Sequence, residues 1–197
     1  MMLVEETQVP EDALPVQALK DHLLLGGGFV ESDLQEPVLV SFLRAAIAAI
    51  EGRTGKALIA RGFLLTLDDW ACPQGQRLPV APVQSITEVA VIDAYGSATI
   101  LDPASYRLQK DAFDPRLRPL TTWLPSVSRR GSIEIRFAAG YGAVFDAVPE
   151  DLKQAVFLLA AHYYEYRNET ALSQGCMPFG VTSLIARYRP VRLGVGA

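Results

Sequence analysis

The chain is expected to be an α+β fold, mainly an α-helical bundle of about four helices with a small antiparallel β-sheet region inserted. Two observations predict this. The two ends repeat apolar residues at helical spacing, while the middle is rich in β-branched residues and prolines and alternates in places with a period of two. All 197 residues are assigned to a single domain. Helices are expected over about 15–55 and 149–188, the β insertion over about 62–138 and a C-terminal tail over 189–197.

Each element has a local reason. "PVQALKDHLLL" carries Val16, Leu19 and Leu23 on one helical face, and Gly26-Gly27-Gly28 stops it. A second helix begins between Ser32 and Pro37. Ser32 with Gln35 fits a capping box, while Pro37 suits a first turn. It runs to Thr54, and Gly55 suits its C-terminal cap. Leu39, Phe42, Ala46 and Ile50 make it apolar on more than one face, as expected of a helix between other elements. "FLLTLDDW", "VQSITEVAVID", "SYRLQ" and "SIEIRFA" read as strands, with a turn at Asp93-Ala94-Tyr95-Gly96. Pro149, followed by Glu150 and Asp151, opens a third helix, apolar nearly all round as far as Tyr164 and running to about Glu169. A short last helix, "FGVTSLIARY", precedes the tail.

Composition narrows the function classes. The formal net charge of −4 lacks the basic footprint of a dedicated nucleic-acid binder, yet is compatible with a protein that only encloses DNA. Cys72 and Cys176 stand far apart without a CxxC partner, so a reducing cytoplasm is the default expectation. The N-terminus has no signal-peptide pattern and no apolar run reaches about 18 residues, so a soluble protein is expected.

No motif amounts to a catalytic constellation. Gly140-Tyr141-Gly142 lacks the Lys-Ser or Lys-Thr of a phosphate loop. Phe145 stands where a dinucleotide fingerprint needs a small residue, and the helix waits until Pro149. Those glycines are expected to let the chain leave an edge of the sheet. His162 and Glu165, one helical turn apart, could hold a metal but lack evident further ligands. Cys176 could act as a nucleophile but sits in no recognisable setting. A small hydrolase or metal-dependent enzyme built on Cys176 or on His162 and Glu165 is therefore the alternative reading. Asp68 and Asp69 are adjacent on a strand end and make poor acid–base partners. No cofactor is expected.

The ends suggest association. The first thirty-six residues are acidic, with Lys20 the only base, whereas the tail is basic. Opposite-signed ends suit a head-to-tail contact between copies. Arg187, Arg189 and Arg192 alternate with Tyr188, Val191 and Leu193, a composition suited to a partner rather than to the domain's own core.

From about Leu14 to Leu193 the chain resembles the head–tail connector, or adaptor, proteins of tailed bacteriophages, whose relatives occur in prophages and gene transfer agents. The blocks that carry the resemblance are "LPVQALKDHLLL", "FLRAAIAAIEGRTGKALI", "RLPVAPVQSITEVAVIDAYG", "FAAGYGAVFDAVPEDLKQAVFLLAAHYYEYRNE" and "MPFGVTSLIARYRPVRL", in that order. The Gly26-Gly27-Gly28 run departs from the family's more polar loop. The resemblance implies a structural, non-enzymatic protein that joins a ring of about twelve subunits under the portal. It implies that the ring extends the DNA channel, encloses double-stranded DNA without reading its sequence and meets the next connector, stopper or tail component. It also implies assembly in the bacterial host cytoplasm, then residence at the head–tail junction, with no membrane contact. The resemblance assigns portal binding to Tyr188, Arg189, Pro190, Val191, Arg192 and Leu193, subunit interfaces to the helices and the channel lining to loops.

Overall fold

The computed structural model describes residues 1–24, 32–167 and 177–189. Within them the chain forms two compact units, one of residues 1–9 and 59–143, the other drawn from residues 10–58 and from 144 onward. Each is taken by itself.

The first unit is built of β strands, with one 3₁₀ turn at Pro103–Ser105. Its larger sheet has five antiparallel strands in the order β1 (Met2–Glu5), β2 (Arg61–Leu67), β8 (Ser132–Ala139), β4 (Val83–Ile92) and β5 (Ala98–Ile100). A second antiparallel sheet runs β3 (Gln76–Arg77), β7 (Arg116–Pro119), β6 (Tyr106–Gln109). The alternation seen in the sequence of β8 is real. Ile133, Ile135 and Phe137 are buried and lie opposite Leu67, Leu65 and Phe63 of β2. The Phe63 and Phe137 rings stack with centroids 5.6 Å apart. Glu134 and Arg136 take the other face. There Arg136 donates to Glu6 (3.0 Å), Glu88 (2.6 Å) and Glu134 (3.2 Å), joining β8 to β4 and to the chain just past β1. Two register shifts in β4 bring Glu88 opposite Arg136. The bonds to Glu6 and Glu88 hold the guanidinium above its already high ordinary pKa.

The second unit is helical: α1 (Val16–His22), α2 (Ser32–Thr54), α3 (Glu150–Glu165) and α4 (Phe179–Ile185). α3 packs against each of the other three. Leu39, Leu43, Ala46 and Ile50 of α2 and Leu152, Ala155, Val156 and Leu159 of α3 are buried. Gly55, at φ 65°, closes α2 as its sequence position predicts.

The expectation of a mainly helical bundle with one small sheet is corrected by this architecture. The fold is α+β, but eight strands in two antiparallel sheets stand beside four helices among the described residues. The physical reason lies in strands that give no alternation signal. β1 and β5 are exposed along their whole length, β3 has two residues, and β7 reads Arg-Leu-Arg-Pro. Conversely, α1 and α4 span only seven residues each, so helix contributes less than the end segments suggested.

Gly140 immediately follows β8. Its φ is 140°, and a Cβ built there would lie 2.4 Å from Ala60 Cα and N. Gly140→Ala is expected to lower stability by roughly 3 kcal/mol or more, through backbone strain plus this collision. Gly96→Ala, at φ 85° with open space around it, should cost only about 1 kcal/mol. Urea unfolding of both variants checks the difference.

Candidate docking surface at the C-terminal helix

The last described residues are held by a clamp inside the helical unit. Val181 and Ile185 of α4 are fully buried. The chain then tightens into a 3₁₀ turn, Ala186–Tyr188. Tyr188 is buried, and its hydroxyl donates to Asp151 Oδ1 at 2.7 Å. Arg187 Nη2 donates to the same hydroxyl at 2.5 Å and pairs with Asp151 Oδ2 at 2.8 Å, with its guanidinium 4.8 Å from the Tyr188 ring. Asp151 belongs to the first turn of α3. The end of the described chain is thereby tied to the start of α3. Burial raises the Tyr188 pKa, the Asp151 carboxylate adds to this, and the Arg187 bond opposes it. Arg189, next along the chain, is exposed. Pro190, Val191, Arg192 and Leu193 lie outside the described residues.

The other sequence candidates resolve differently. Gly140 N donates to Pro82 O (2.9 Å), Gly140 O accepts from Gln84 Nε2 (3.0 Å), and Gly142 O accepts from Ala60 N (2.7 Å). The Gly140 amide is spent within the sheet unit, so the segment is a chain crossing and not a phosphate cradle. It leaves from β8, the middle strand, rather than from an edge. His162 is half-buried with its ring 4.7 Å from that of Tyr166, and Glu165 is exposed. Among the described residues no three His, Cys, Asp or Glu side chains are grouped to hold a metal ion. Cys176 lies outside the described residues. Asp68 is exposed, and Asp69 Oδ1 accepts from Trp70 N.

No protein-family model matches the chain, and no curated protein does. Solved structures do. A chain in the neck of an empty gene transfer agent particle, computed with C6 symmetry, is 51% identical with a TM-score of 0.91, over 100% of this chain and 99% of that one. The chain belongs to the head–tail connector family. Two further matches agree. A chain in the virion of a native gene transfer agent particle is 50% identical with a TM-score of 0.88. Another in a native neck computed with C12 symmetry is 48% identical with a TM-score of 0.85. Both cover 100% of this chain and 99% of theirs. The connector is thus a structural head–tail component.

The resemblance assigned portal binding to Tyr188 and Arg189, but sequence reasoning missed what holds Tyr188. Asp151 read only as a helix-start acid, and Arg187 only as one arginine of the tail. Their partnership spans 36 residues and leaves no local signature. Removing the Tyr188 hydroxyl (Tyr188→Phe) should cost about 1 kcal/mol, because a buried bond to a carboxylate is lost. The raised pKa means that the wild-type advantage is full below the unfolded tyrosine value of about 10 and disappears as pH rises through the folded value. Urea midpoints of wild type and Tyr188→Phe should therefore differ at pH 7 and converge above that folded value.

Proposed function

We propose that this connector assembles as a ring of copies beneath the portal of a gene-transfer-agent-like or phage-like particle. In this reading the ring continues the DNA channel and hands on to the next neck or tail component. The observation that carries the reading is the full-length match, at 51% identity, to a chain of a gene transfer agent neck. The C6 and C12 symmetries of the matched necks support a ring of about twelve copies. The protein does no chemistry in this role. It encloses double-stranded DNA without reading its sequence, and its net charge of −4 favours passage over grip. It is made in the host cytoplasm, enters the particle during assembly and needs no membrane. The whole chain acts as one connector subunit.

Within that role, the segment from Tyr188 to Leu193 is proposed to dock on the portal. The buried, doubly bonded Tyr188 acts as the fixed point from which Arg189, Pro190, Val191, Arg192 and Leu193 reach the partner. A preset starting point lowers the ordering cost of such a segment on binding. Deleting Pro190 to Ala197 should abolish portal binding while leaving the thermal melt of the domain unchanged. Electron microscopy of portals mixed with wild type should show a second coaxial ring, and portals mixed with the truncation should stay bare. A truncated protein that still stacks normally would overturn the tail assignment.

A further inference from the structure

The three-stranded sheet has two unlike faces. Tyr106 and Leu117 are buried on one. On the other, register sets Arg77 opposite Arg116, and Arg107 opposite Arg118. Arg116 and Arg118 are two apart on β7, so all four arginines share that face. Asp114 serves two of them: Arg116 Nη2 pairs with Oδ2 at 2.5 Å, and Arg77 Nε approaches Oδ1 to 2.8 Å without hydrogen-bond geometry. Arg118 Nε donates to Gln109 Oε1 at 2.8 Å and its Nη1 to Gln74 O at 3.0 Å. Arg107 is exposed, and its side chain has no ion pair or hydrogen bond among the described residues. Two large apolar side chains are exposed in the segment that follows β7: Leu120, 59% exposed, whose N is bonded to Ser105 O next to β6, and Trp123, 55% exposed, which precedes Leu124, whose N is bonded to Pro73 O beside the Gln74 carbonyl that Arg118 reaches. Arginine with exposed tryptophan and leucine is the composition of a protein interface. A phosphate backbone would satisfy the arginines and leave the apolar side chains uncovered.

A second uncovered surface lies on the same unit. β1 is an edge strand with Met2 57%, Leu3 37% and Val4 42% exposed, and it pairs without a bulge to β2 alone. It carries no lysine or proline of the kind that blunts a free edge. Glu5 and Glu6 follow, engaged by Arg61 and Arg136, and the Asp68 side chain, 96% exposed, lies 3.8 Å from the N-terminal amine. One surface is apolar with the exposed Arg107, and the other is apolar with the exposed carboxylate of Asp68, since Glu5 and Glu6 are paired within the unit. They occupy different places on one unit, so mating them joins successive copies head to tail, a contact that repeats around a ring.

We propose that the arginine face of the three-stranded sheet, with Leu120 and Trp123, docks against the β1 edge of the next copy. The proposal rests on the ring reading above and names its subunit contact.

The test places the photocrosslinker benzoylphenylalanine at position 123 and assembles the full chain on the portal of its own particle. Expected is a product of two chain masses whose linked peptide falls within residues 1–9 or 61–69 of the other copy. In parallel, Arg107→Glu should cut ring yield at least ten-fold with an unchanged melt, while Arg129→Glu, at an exposed arginine in the β7–β8 loop, should stack as wild type does. Rings that form while the crosslink goes to DNA, to another particle protein or to helical segments of the neighbour, or while no crosslink appears, overturn this contact and leave the ring intact. Normal ring yield from Arg107→Glu does the same. Wild-type protein that builds no ring on the portal overturns the ring reading itself.

Discussion

The sheet unit depends on one close crossing. The chain enters it at Ile59 and leaves it at Ala143, and the two passes are bonded side by side: Ala60 N donates to Gly142 O at 2.7 Å, and Ile59 bridges Gly142 in parallel. The crossing works only because Gly140 lacks a side chain, since any Cβ would meet the Ala60 backbone. Because the entry strand β2 and the exit strand β8 are neighbours, the pairs Phe63–Phe137, Leu65–Ile135 and Leu67–Ile133 begin building the core next to the crossing.

Charge is organised around arginines rather than spread evenly. Arg136 collects three glutamates from three segments on one face of the larger sheet. Arg187 and Tyr188 share one aspartate at the start of α3. Each cluster fixes chain segments distant in sequence, and the planar guanidinium suits that task because it donates in several directions at once. In a structural protein such crosslinks serve shape.

Much of this was legible in the sequence. α2 and α3 announced themselves through periodicity, the acidic first turn of α3 and the Gly55 cap, and β8 through clean alternation. The sequence also showed the family, because ordered blocks over nearly the whole chain resembled it. What could not be read was the extent of β structure. β1 has no buried face to generate alternation, and β7 interleaves arginines with Leu117 and Pro119, so both look like loop. The candidate docking end was half legible. The arginine-rich composition near Tyr188 was visible, while the clamp by Asp151 depends on a tertiary meeting that no local pattern encodes. The four arginines of the small sheet were equally hidden, because only strand register brings 77, 107, 116 and 118 to one face.

The insertion also orders events during synthesis. The helical unit is discontinuous in sequence: α1 and α2 precede the sheet strands β2–β8, and α3 follows them. As the chain leaves the ribosome, the apolar faces of α2 must wait for α3, whereas every strand has already emerged. The sheet unit can therefore be complete while Leu39, Leu43 and Ile50 still lack their partner. The Tyr188–Asp151 bond comes last of all. A chain cut short by a few dozen residues would carry a finished sheet unit but a helical unit without α4 and without the tie from Tyr188 to Asp151.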